Sequence, residues 1–97
     1  MAIDIYEDRR LLMSVSTTAF LSLEHAQEEL ARASGRRVDA FATTSVEPEH
    51  VQLWLVGLRR ILSTLGPRDP ARVVCSQLIE VLVDVVQRRR TIMVEGE

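Results

Sequence analysis

Glu47-Pro48-Glu49-His50 is the segment of this 97-residue chain that comes nearest to a metal-binding pattern. Glu-x-x-His places a carboxylate and an imidazole on one side of a helical turn. Di-iron bundles use two such pairs with further carboxylates around a common interior. Here there is one pair, at a position where Pro48 suits the first helical residue and acids suit the positive end of the helix dipole. We therefore read Glu47 and Glu49 as end-of-helix groups. His25 lies among Glu24, Glu28 and Glu29, but no Cys or second His stands at ligand spacing from it. Its neighbours form ordinary i,i+4 pairs, His25 with Glu29 and Glu28 with Arg32.

Nucleophilic chemistry finds no better support. The single Cys75 falls on an apolar helical stripe, where a thiol behaves as a small hydrophobe with a raised pKa. Ser14, Ser16, Thr17, Thr18 and Ser22 resemble a hydroxyl-lined site, yet such residues commonly hydrogen-bond their own backbone. There is no Gly-rich phosphate loop and no Gly-x-Ser-x-Gly. The sequence predicts no catalytic, cofactor or metal residue, and hence no enzyme. A small metal-dependent enzyme using His25, His50 and the Glu residues is the remote alternative.

Charge speaks to partners. All twelve basic residues are Arg, against fourteen acids, giving a formal net charge of -2. Arg9-Arg10, Arg36-Arg37, Arg59-Arg60 and Arg88-Arg89-Arg90 are clustered, but phosphate binding asks for a net basic face. A helix-turn-helix also fits poorly, because the helix after Gly66-Pro67 is the most apolar in the chain. Were nucleic acid bound, the contacts expected are Arg59, Arg60, Arg88, Arg89 and Arg90. The absence of Lys and Asn points to a high-GC coding sequence, as in a bacterium or its phage. One Cys precludes an internal disulfide and suits a reducing compartment. Met1 to Asp8 lacks a signal-peptide pattern and no apolar run reaches the ~18 residues of a membrane span, so cytoplasmic placement without membrane contact is expected.

The elements that must position these residues read as helices. In Leu65-Gly66-Pro67-Arg68-Asp69-Pro70, Gly66 and Pro67 stop one helix, while Asp69 caps the next and Pro70 takes its first position. So short a connection makes an antiparallel hairpin. Its first arm, about 48 to 65, has Val51, Trp54, Leu55, Leu58, Ile61, Leu62 and Leu65 on one face. The second arm, about 70 to 94, is apolar around most of its circumference. A longer helix, about 7 to 34, carries Leu12, Val15, Ala19, Leu23, Ala26, Leu30 and Ala33, and stops at Gly35. Its alanines recur every seven residues and form a seam for close packing. Val15 to Thr18 is weak for helix, so the first turns are expected to kink or separate there. Val38 and Phe41 should fold back onto the bundle from the 36–45 connection, which could hold a short strand. At the C-terminus, a competing reading pairs Thr91 to Val94 as a strand with Ile3-Asp4-Ile5.

The expectation is thus a single all-α domain, an antiparallel three-helix bundle of residues 7–34, 48–65 and 70–94. Leu53, Val56, Ile79 and Val83 exceed what that core absorbs, so we expect a homodimer that completes a larger bundle through them. The function expected is a non-catalytic protein–protein interaction module, such as an adaptor, small chaperone or inhibitor. The alternative is an accessory subunit, or a phage-encoded inhibitor, of nucleic-acid machinery.

Overall fold

The computed structural model describes residues 2–35, 37–39 and 41–96. Two strands open the chain, β1 (Ala2–Glu7) and β2 (Arg10–Ser16), followed by the helices α1 (Thr17–Leu21) and α2 (Glu24–Ser34). A third strand, β3 (Thr43–Val46), leads into α3 (Pro48–Thr64) and α4 (Pro70–Arg88), and β4 (Ile92–Glu95) comes last. The strands form one antiparallel sheet in the order β2-β1-β4-β3. The protein is therefore mixed α and β, and the all-α three-helix bundle is corrected. Sheet residues fill much of the interior that a second copy was expected to complete.

Two spans account for the correction. Residues 7–34 are not one helix but the end of β1, β2, α1 and α2. Ile3 and Ile5 alternate with half-buried Asp4 and Tyr6, which is the period of a strand with one face inside. Asp8 takes a left-handed φ of 55° in the turn, as hairpin turns matching strand twist require. β2 then returns alongside β1, pairing Ile3 with Val15 and Ile5 with Met13; a register shift follows, so that Tyr6 faces Leu11 and Leu12 bulges. Ser16 caps α1 by accepting a hydrogen bond from the Ala19 N–H at 3.2 Å. The β-branched run that weakened the long helix is thus the strand-to-helix junction. Gly35 ends α2 with φ 74°, as its sequence position suggested.

The span 70–94 is the second correction. α4 stops at Arg88, because Arg89 adopts a left-handed φ of 53°. Ile92 and Met93 stay in phase with the helix stripe, but Ile92 and Val94 also alternate, and as β4 both are buried. β4 sits between β1 and β3, matching Asp4 with Glu95, Ile5 with Val94 and Tyr6 with Met93. Its backbone groups are satisfied on both sides, whereas a longer helix would leave β1 and β3 without that partner. Arg88 ties this junction to the first hairpin through Glu7 at 2.7 Å and also pairs with Asp84, while Arg90 pairs with Asp8.

The helices cover one face of the sheet. Ile3, Ile5, Val15, Val46, Ile92 and Val94 meet Trp54, Leu58, Cys75, Leu78, Leu82 and Leu30 in one core. Phe20 and Trp54 pack edge to face with centroids 6.2 Å apart. Buried Gln27 accepts the Trp54 indole N–H at 3.3 Å and donates to the Phe20 carbonyl at 3.1 Å. The other sheet face stays open, as antiparallel sheets permit.

Candidate protein-binding surfaces

α3 lies against α2 on one flank and α4 on the other. The first contact is close because Gly57 presents no side chain to α2: a Cβ there would lie 3.2 Å from the Ala26 Cα. Of the three alanines in the seam, Ala26 makes this approach, while Ala33 is exposed. Beside the contact lies a cleft of about 390 Å³ lined by Glu29, Arg32, Ala33, Leu53, Val56 and Arg60. Leu53 is 38% exposed and Val56 45%. Glu29 and Arg60 bridge the helices at 3.4 Å, with both side chains in reach of solvent. Arg32 makes no ion pair among the described residues.

Ile79 and Val83 lie elsewhere. Arg72 donates to the Leu62 and Leu65 carbonyls, which marks the flank of α4 that faces α3. Two and three turns on, Ile79 and Val83 share that flank, half-buried against the core. Leu53 and Val56 open toward α2. α3 separates the two pairs, so the four residues named as an interface form two surfaces. Alanine recurrence had flagged Ala33. Glu29 and Arg32 were missed as cleft residues, because which helix lies beside α3 is not a local property.

The five arginines named for nucleic acid are also dispersed. Arg60 is bridged to Glu29, Arg88 to Glu7 and Asp84, and Arg90 to Asp8. The hydrogen bonds to Glu7 and Asp84 raise the Arg88 pKa, so that it stays a cation. Arg59 and Arg89 are exposed without such partners among the described residues. Arg89 lines a hollow with Pro48, Glu49 and Gln52, and therefore sits by the start of α3. Arg59 lies seven residues beyond Gln52 along α3, roughly 10 Å away at helical rise.

The remaining chemical candidates have structural partners. Cys75 is buried with its Sγ 3.4 Å from the Leu58 carbonyl, and burial pushes its pKa up. His25 and Glu28 approach to 3.6 Å at the surface. The Glu49 carboxylate is held below its ordinary pKa chiefly by the hydrogen bond it accepts from its own backbone N–H. Among the described residues no group of three or more His, Cys, Asp or Glu side chains could hold a metal ion. Ser14 donates to Asp4, Ser22 to the Ala19 carbonyl, and Ser16 serves as the α1 cap. Of the two loop residues expected on the core, Val38 is buried and Phe41 is exposed. No described helix is long and apolar enough to cross a membrane.

No protein-family model, curated protein or solved structure matches this chain.

Proposed function

We propose that this protein is a non-catalytic interaction module that binds another protein through the cleft between α2 and α3. The observation that carries the reading is the adjacency of exposed Leu53 and Val56 in a concave surface edged by Arg32 and the Glu29–Arg60 bridge. Such an apolar centre with a charged rim is the composition of a recognition patch. Neither residue fills the core, so their apolar character is not required by the fold.

An amphipathic helix laid in the groove would bury both side chains, each worth roughly 1.5–3 kcal/mol when fully covered. Affinity capture from the native host, with wild type, Leu53→Asp and Val56→Asp as parallel baits, tests this. A co-purifying protein lost by both variants supports the cleft. A partner retained equally by both overturns it.

A further inference from the structure

We propose that the open face of the sheet docks a second copy of this chain, independently of the α2–α3 cleft. Strand registers write out that face in rows. Leu11 of β2, Tyr6 of β1, Met93 of β4 and Ser45 of β3 lie side by side, with Leu11 50% and Met93 38% exposed. Two residues along lies the row Ser14, Asp4, Glu95 and Thr43. Asp4 and Glu95 are directly opposite one another, an arrangement of like charges that weakens a sheet. Asp4 accepts the Ser14 hydroxyl at 2.6 Å, but no cation pairs with either carboxylate among the described residues.

Beyond the apolar row, at the other end, the hairpin tip carries exposed Arg9, which has no acidic partner among the described residues. Arg90 is at the same end, bound to Asp8. Uncompensated negative and positive charge thus flank one apolar row. This distribution is self-complementary. A two-fold axis between two such faces, perpendicular to the strands and passing by Tyr6, stacks the apolar rows on each other. It brings Arg9 of each copy toward Asp4 and Glu95 of the other. Asp4 lies about 7 Å before Tyr6, and Arg9, level with Asp8 across the two-residue turn, lies about 7 Å after it at strand rise, so the two-fold brings them to the same level.

Four strands about 4.8 Å apart make the face roughly 20 Å across, and the six residues of β1 make it roughly 20 Å along the strands, a contact of about 400 Å² per copy. The total, about 800 Å², belongs with weak and transient interfaces. Dimerisation is therefore expected at high micromolar concentration and to weaken with salt.

Sedimentation equilibrium of the full chain from about 10 µM to 1 mM, the range appropriate to so small an interface, tests the proposal. Wild type should show a monomer–dimer equilibrium. Asp4→Arg and Arg9→Glu should each weaken it by at least about tenfold, since both place like charges in the contact twice. The double variant should return to within about threefold of wild type, because the pair is re-formed with its signs exchanged. Val56→Asp should leave the equilibrium unchanged, which separates this face from the α2–α3 cleft. Circular dichroism checks that the substitutions leave the fold intact. A wild type that stays monomeric to the highest concentration overturns the proposal. So does a dimer indifferent to both single variants, a double variant without rescue, or a dimer lost through Val56→Asp.

Discussion

The α3–α4 hairpin and the four-stranded sheet are built by opposite routes. Every signal that shapes the hairpin is local: Pro48 and Pro70 at the first helical positions, and Asp69 accepting the Ala71 N–H at 2.9 Å. Each strand of the sheet is only four to seven residues long, and β4 finds β1 from the far end of the chain. A hairpin of helices has its backbone hydrogen bonds before it packs, whereas a strand has none until its partner arrives. The difference teaches that stability in this protein is coupled through β4. It is the strand that joins β3 to the β1–β2 hairpin.

Val94→Asp should show the largest effect, since it buries a carboxylate without a partner at the centre of the sheet. A loss of about 3–5 kcal/mol is expected, with sheet and core signals vanishing together in denaturant titrations. Helix persisting at full native content after the sheet is lost would break the coupling. Gln27→Leu probes the join between the two regions, because it strands the Trp54 indole N–H in the core and leaves the Phe20 carbonyl with the Leu23 N–H as its donor. About 1–3 kcal/mol should be lost, read by Trp54 fluorescence during unfolding. Asp69→Ala removes a cap from the local part alone and should cost about 1 kcal/mol. Val56→Asp, at an exposed cleft position, should change stability by no more than about 0.5 kcal/mol while removing partner binding.

Cys75 gives a readout without substitution. Burial raises its pKa and shields it, so at pH 8 it holds less thiolate than a free Cys and should react slowly with alkylating reagents. Urea that unfolds the chain should restore fast labelling. Rapid labelling of the native protein would mean that the α3–α4 contact opens far more often than its packing implies.

The two surfaces differ in legibility in the same way as the regions that bear them. Leu53 and Val56 could be singled out because they break the phase of a clear helical stripe. Glu29 and Arg32, which share their cleft, could not, since α2 reaches α3 by tertiary packing. Tyr6, Leu11, Met93, Asp4 and Glu95 gain meaning only when three strands are set in register. Period-two alternation at Ile3-x-Ile5 and Ile92-x-Val94 was visible, but each stretch is too short to outweigh a helical reading of its neighbours. The Val15–Thr18 stretch, read as a place where the first turns kink or separate, is a change from strand to helix.

What the sequence determined by itself is the helical hairpin, the left-handed stop at Gly35, the apolar stripe that buries Cys75, and the lack of a motif for catalysis. Those follow from steric and hydrogen-bonding preferences within a few residues. The tertiary structure alone decided that residues 2–16 and 92–95 form a sheet, that α3 divides Leu53 and Val56 from Ile79 and Val83, and that Arg37, Arg60, Arg88 and Arg90 among the clustered arginines are held by acids. Strand pairing and ion pairing each require two distant segments to meet. Their free energy appears only after the chain between them has been folded.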